Sequence, residues 1–390
     1  MAIVGALVGF ILKLIVNWVD IDGFRIHRNN FLIEIASALL WYWAFYNLTI
    51  EESIIFSCIA SILIAIGFVD YFTMQIPLIL VLVVINQRAN LLIYLMTSYE
   101  LTELLDPKVG GKEVKWFDDY FTIQKIDELT FAIGEPRYHQ LNFNYLILGA
   151  SKAILFDAGT GQRDIREVVE SITDLPVTFI PSHLHFDHIG NEVVFENTAL
   201  VDLPHLRKRV TDNKLLLTRF EHLGEIEGYS QPEIKISEWL TPNETIDLGN
   251  RRLLVLYTPG HTNDSISLFD QEVGYLFAGD FLYPGPLYGF LPNSNMGDYL
   301  QGSQTIKSVS DNRLRVFGAH GDDSIGIPEL SLETVTHLQD ALIDIQSGTL
   351  KSNGIFPVTY KVNDRVELLS EPSWLQDWDP TYPELKIDTK

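Results

Sequence analysis

The chain has 390 residues, and its 51 Asp and Glu against 28 Lys and Arg give a formal net charge of -23. That charge would repel a phosphate backbone, and no basic run or aromatic stacking platform offsets it, so nucleic acid is excluded as a partner. The single cysteine, Cys58, lies in an apolar run; it gives no zinc-finger spacing and no nucleophile near the motifs described below.

The first hundred residues are strongly apolar. Residues 2–19, 31–50 and 53–69 are runs of about membrane-spanning length bounded by polar residues, and they predict a multi-pass helical segment over residues 1–100 with the lipid bilayer as its partner. The alternatives are a signal peptide, which would need a basic start and a small-residue cleavage site, and buried core helices, which would need polar faces. Arg25, His27 and Arg28 make the first loop positive and therefore cytoplasmic, so three crossings would deliver the rest of the chain to the cytoplasm. The stretches Gly5-Ala6-Leu7-Val8-Gly9-Phe10, Phe31-Leu32-Ile33-Glu34 and Val69-Asp70-Tyr71-Phe72-Thr73-Met74-Gln75-Ile76-Pro77 resemble the front half of a type IV prepilin peptidase. Asp70 matches the first of that family's two catalytic aspartates. The Gly-x-Gly-Asp carrying the second is missing, and one carboxylate makes no proton-sharing dyad, so the resemblance implies a truncated, inactive anchor.

Residues 101–114, rich in Asp, Lys and Gly, read as a linker. Beyond them strand-like runs such as 145–148 and 177–180 alternate with helix-like stretches such as 165–172 and 332–345, which predicts one α/β domain over residues 115–350 and a C-terminal tail over 351–390. Within the domain, His183-Leu184-His185-Phe186-Asp187-His188 packs three imidazoles and a carboxylate into six residues after a Pro-Ser turn. Neutral imidazole nitrogens are good ligands for zinc, iron or manganese; a His-rich solvated turn is the alternative. Further pieces follow in order, each after an apolar run: Gly260-His261 after residues 252–257, Phe277-Ala278-Gly279-Asp280 after 273–276, and His320 after 314–317. A glycine beside a ligand lets the backbone approach an ion without a Cβ in the way. One such piece is a common turn, whereas four in this order point to a metal site.

The order His-x-His-x-Asp-His, Gly-His, Gly-Asp, His over residues 114–347 resembles the metallo-β-lactamase-fold hydrolases of the glyoxalase II type. The resemblance implies an α/β fold, an αββα sandwich, with a binuclear centre. His183, His185 and His261 would hold one divalent metal ion, and Asp187, His188 and His320 a second, with Asp280 bridging; zinc is expected, with iron and manganese as the other candidates. Asp157, at the end of the run 154–156, matches the strand-end Asp-x-Gly that orients the metal loop from behind, with a turn-capping Asp as the alternative reading. In such a centre the nucleophile is a shared water ionised to hydroxide, and one metal polarises the carbonyl under attack. Asp187 or Asp280 would carry the proton, with Asp187 assigned that task.

Residues 281–292 form an aromatic, proline-rich loop, and Tyr283, Tyr288 and Phe290 would line an apolar pocket mouth; ordinary loop packing is the alternative. The loop is similar to that of metallo-β-lactamase-domain acyl-CoA thioesterases, which implies a lipophilic small-molecule ester or thioester as substrate. The tail carries Glu367, Glu371, Asp377 and Asp379 beside Trp374 and Trp378, unlike the basic extension with which glyoxalase II grips glutathione. The expected function is therefore a membrane-anchored binuclear ester or thioester hydrolase. A remnant of a prepilin-type aspartic peptidase and a metal-binding sensor without turnover are the other readings.

Overall fold

The computed structural model describes residues 104–108, 110–111, 114–191, 194–322 and 325–385. Strands β1 (Lys115–Trp116), β2 (Thr122–Asp127), β3 (Thr130–Glu135), β4 (Asn142–Leu148) and β5 (Ala153–Phe156) form an antiparallel meander. Helix α1 (Arg166–Ile172) then crosses to β6 (Val177–Ile180), parallel to β5, and β7 (Asn197–Val201) extends the parallel part. The short helices α2 (Phe186–Ile189), α3 (Pro204–Arg207) and α4 (Arg219–His222) follow β6, β7 and β8 (Lys214–Leu216) respectively; β8 pairs with β9 (Glu233–Lys235) in a separate two-stranded sheet, and β10 (Glu238–Leu240) closes the eight-stranded sheet beside β7.

The second sheet, of six strands, begins with β11 (Thr245–Asp247), β12 (Arg252–Tyr257), β13 (Ile266–Asp270) and β14 (Tyr275–Gly279). After β15 (Gly285–Gly289) and helix α5 (Met296–Val309), it is completed by β16 (Arg315–Gly318) and β17 (Glu329–Ser331), which leads into α6 (Leu332–Gln346). The hairpin β18 (Val358–Lys361) and β19 (Val366–Ser370) joins β15 in a separate three-stranded sheet.

Alternation along the second sheet explains the layering. Leu253, Val255 and Tyr257 of β12 and Phe277 of β14 point into a core shared with the first sheet, where Tyr145 meets Phe277 at 5.1 Å. Their neighbours Leu256, Leu276 and Ala278 point the other way, into a second core with Ile306 of α5 and Val335, Leu338 and Leu342 of α6. Strands apolar on both faces are the mark of a sheet covered on both sides, and α1 covers the first sheet through Val168 and Val169. The αββα sandwich is thus observed. One local expectation differs: Val273 and Gly274 belong to a turn, with Gly274 at φ +79° in the left-handed region that glycine adopts at no steric cost, and β14 runs on to Gly279.

Strand direction gathers the candidate ligands. Because β12 and β14 are both antiparallel to β13, and β16 is parallel to β14, the C-terminal ends of β12, β14 and β16 lie along one edge. Ile266 N–H donates to the carbonyl of Ser182 at 2.8 Å, bringing the end of β6 to that edge as well.

The multi-pass membrane placement requires correction. Among the described residues no helix is long and apolar enough to cross a membrane, and the runs on which that placement rested, with Asp70 and the prepilin-type resemblance, lie outside the described residues. The bilayer, the cytoplasmic side inferred for the domain and the anchoring role are therefore not carried into the functional reading.

Candidate metal centre

The six-residue motif starts three residues beyond the end of β6. His183 and His185 lie on the turn itself, His185 being the extended N-cap of α2, and the single turn of α2 brings Asp187 and His188 round to the same side. His261, Asp280 and His320 each sit just past β12, β14 and β16, so strand ends supply every remaining group. Gly260 is required by space as well as conformation: its φ is +144°, and a Cβ there would lie 2.4 Å from Cγ of Tyr299.

These side chains converge in two sets. His183 Nε2 and His261 Nε2 lie 2.9 and 3.0 Å from His185 Nδ1. Asp187 Oδ2 lies 3.5 Å from His188 Nε2 and 3.5 Å from His320 Nε2. Asp280 lies between the sets, with Oδ1 3.3 Å from His188 Nε2 and Oδ2 3.4 Å from His261 Nε2, and with both oxygens near His320 Nε2, at 3.0 and 3.1 Å. All seven are buried.

The atoms turned away from this centre are anchored. His261 Nδ1 is 2.9 Å from the Tyr288 carbonyl and His320 Nδ1 is 3.0 Å from that of Gln140. A carbonyl only accepts, so each Nδ1 carries the hydrogen and each Nε2 presents its lone pair inward. His188 Nδ1 is held by Asp157 Oδ2 at 3.0 Å, and His183 Nδ1 by Ser182 Oγ at 3.0 Å. Asn142 Nδ2 donates to Asp187 Oδ2 at 3.2 Å and to the Asp187 carbonyl at 3.0 Å, fixing that carboxylate. Asp157 itself adopts φ +63° and accepts the Ser182 N–H at 2.6 Å.

The residues fit divalent cations by an independent criterion. His188 Nε2 and Asp280 Oδ1 are buried with no hydrogen-bond partner, a situation that costs about 1–3 kcal/mol per group unless something satisfies it. Both point among lone-pair donors, where a cation would satisfy them together. The electrostatics agree. Burial holds His183, His185 and His261 below the ordinary histidine range, so they are neutral and able to ligate. Burial would depress His188 too, but the carboxylates of Asp187, Asp280 and Asp157 outweigh it and hold it well above that range. Burial likewise pushes Asp280 up, and His320 and His188 reverse that and bring it well below the carboxylate range.

A cavity of about 590 Å³ opens over the centre, with His185, Asp187, His261, Asp280 and His320 among its lining residues. Its apolar lining includes Phe186, Tyr283, Pro286, Tyr288 and Leu291. Of the three aromatics expected at the mouth, Tyr283 and Tyr288 line it. Phe290 packs on Tyr288 at 5.7 Å, one ring farther out. The Tyr283 hydroxyl donates to the Pro286 carbonyl at 2.6 Å and its ring meets His320 edge-on at 5.0 Å, so it acts as a wall.

Sequence reasoning missed Ser182, Asn142 and the carbonyls of Gln140 and Tyr288. It also missed Asp264, buried with Oδ2 unpartnered and pushed up to about 7, chiefly by burial. Asn142 had a signal: an amide within the buried strand Asn-Phe-Asn-Tyr must be satisfied by something specific. The carbonyl anchors had none.

Residues 141–320 match the pattern of the Metallo-beta-lactamase superfamily. Among curated relatives, the acyl-coenzyme A thioesterase MBLAC2 of Gallus gallus is 29% identical over 216 residues, covering 50% of this chain and 78% of that one. Its namesake in Homo sapiens is 26% identical over 219 residues, with the same coverage. A hydroxyacylglutathione hydrolase of Idiomarina loihiensis is 28% identical over 137 residues, covering 34% of this chain and 43% of that one. With the sandwich, the converging His and Asp side chains and these relatives together, the chain has the metallo-β-lactamase fold and is a metal-dependent hydrolase.

Proposed function

We propose that this protein hydrolyses an acyl thioester, or the corresponding ester, at a centre of two zinc ions. His183, His185 and His261 would hold one ion, Asp187, His188 and His320 the other, and Asp280, which lies between the two sets, would serve both. When bound, such a pair supplies Lewis acidity toward the acyl carbonyl and lowers the pKa of water toward neutrality.

The chain's own groups do the rest. Asp187, lining the cavity and fixed by Asn142, would take a proton from the attacking water and return it to the departing sulfur or oxygen. The carbon–oxygen bond to water forms as the carbon–sulfur bond breaks, giving a carboxylic acid and a thiol. Asp157, Ser182 and the Tyr288 and Gln140 carbonyls keep the imidazoles aimed inward, so little reorganisation accompanies the reaction. The apolar lining suits a hydrocarbon acyl group better than a sugar or a phosphate, which agrees with the thioesterase relatives.

The observation that carries this reading is the position of Asp280 between the ligand sets, with His261 Nε2 at 3.4 Å on one side and His188 Nε2 at 3.3 Å and His320 Nε2 at 3.0 Å on the other. The test uses the full-length chain, with metal content by elemental analysis and thiol release from acyl thioesters. Two zinc ions per chain and turnover that falls at least about hundredfold in Asp280→Ala are expected. Metal-loaded protein that releases neither thiol nor alcohol from a panel of thioesters and esters would refute it.

A further inference from the structure

The matched region ends at residue 320, yet the cavity wall is built partly by chain beyond it. Strand β15, which brings Pro286 and Tyr288 to the cavity, pairs along its whole length with β19, from Gly285 opposite Val366 to Gly289 opposite Ser370. Its burial alternates: Leu287 and Gly289 are buried, while Pro286 and Tyr288 are exposed. Residues two apart on a strand share a face, and on the cavity side of β15 that face is continued by Phe290 just past its end. The Tyr288 and Phe290 rings lie 5.7 Å apart, and Phe290 meets Phe356, in the segment leading into β18, at 5.9 Å. Next to it Ile355 is 59% exposed.

A row of apolar side chains thus starts at the metal-centre cavity and runs outward onto a segment from the far end of the chain. An exposed apolar patch continuous with a catalytic cavity is kept for what passes through the opening. We infer that Tyr288, Phe290, Phe356 and Ile355 form a track for the acyl tail of the substrate, and that the segment ahead of β18 sets the chain length accepted. This rests on the thioester or ester reading: the reacting carbonyl lies at the ligand end of the cavity, and a saturated tail too long for the cavity has this row as its apolar way out. The occupant is a long unbranched hydrocarbon chain, because the side chains that succeed one another outward from the cavity are aromatic and aliphatic.

The test compares the full-length chain with the double variant Ile355→Ser and Phe356→Ser, using butyryl, octanoyl and palmitoyl thioesters of one thiol. The track predicts kcat/KM for palmitoyl lower by about tenfold in the variant, with butyryl changed by less than about twofold, because only the long chain buries methylenes there. An equal effect on all chain lengths, or none on palmitoyl, overturns it. Calorimetric binding of a non-hydrolysable palmitoyl thioether to both proteins separates the two readings. If wild-type protein turns over no thioester but binds the thioether more tightly than the variant does, the hydrolytic reading fails and the track stands. If turnover is normal and thioether binding is identical, the track fails alone.

Discussion

Replacing Asp157 by Asn isolates what an anchor behind the ligands does. The side chain is buried, its Oδ1 accepts the Ser182 N–H at 2.6 Å, and its Oδ2 lies 3.0 Å from His188 Nδ1. Asparagine has the same shape, tolerates the φ of +63° at this residue, and keeps the Ser182 bond through its remaining oxygen. Only the group facing His188 changes, from an acceptor to an NH₂ donor. In the neutral ring that metal binding requires, His188 Nδ1 must then accept, so its single hydrogen moves to Nε2, the atom that faces Asp187 and Asp280 at 3.5 and 3.3 Å. A protonated Nε2 cannot ligate. Flipping the amide would restore the acceptor but set its NH₂ against the Ser182 N–H, and Ser182 Oγ, 3.5 Å from His188 Nδ1, is too far to substitute. Loss of such an anchor costs about 10–100-fold in metal affinity, or about 1.4–2.7 kcal/mol. Titrating metal-free protein with zinc against a competing chelator should show the site of Asp187, His188 and His320 weakened by that factor, and the site of His183, His185 and His261 weakened less. A variant that binds both ions as tightly as wild type would refute the argument that Asp157 selects the tautomer of His188.

Asp264 and Arg251 give two further expectations. The Asp264 carboxyl is raised to about 7 by burial, so the fold favours its neutral form; that contribution is complete below the ordinary carboxylate value and is lost as pH rises through about 7. Metal-free Asp264→Asn should therefore gain on wild type by a few kcal/mol between about pH 5 and pH 8, read as a widening Tm difference, and parallel pH profiles would contradict this. Arg251 donates to buried Asp270 through Nε at 2.5 Å and to Thr130 Oγ1 at 2.9 Å. Arg251→Ala leaves Asp270 charged and unpaired, and should cost about 3–5 kcal/mol in chemical denaturation, with the Arg251→Ala and Asp270→Ala double variant costing less than the sum of the singles. Additive losses would mean that the two groups do not interact.

What the sequence discloses about this domain follows from which interactions require a particular side chain. A candidate metal ligand needs a side chain with a lone pair to give, and in this region those are imidazoles and carboxylates, so His183, His185, Asp187, His188, His261, Asp280 and His320 could be picked out and ordered before their convergence was known. The alternation in β12 was hidden for the opposite reason: both faces are covered, so Arg252–Tyr257 reads as a continuous apolar run and its two cores emerge only with the layers in place. Pairing between β15 and β19 is a backbone ladder that any residues except proline can donate to, which is why the tail read as an acidic appendage although it supports a cavity wall. The membrane placement of the first hundred residues rested on hydropathy alone, and those residues lie outside the described part of the chain. Tyr288 combines both cases in one residue. Its ring was visible as a candidate wall because aromatic surface is a property of the side chain. Its carbonyl, which holds His261 Nδ1 at 2.9 Å, could have come from any residue at that position, so a Tyr288 substitution should disturb substrate fit through the ring while leaving the anchor of His261 in place.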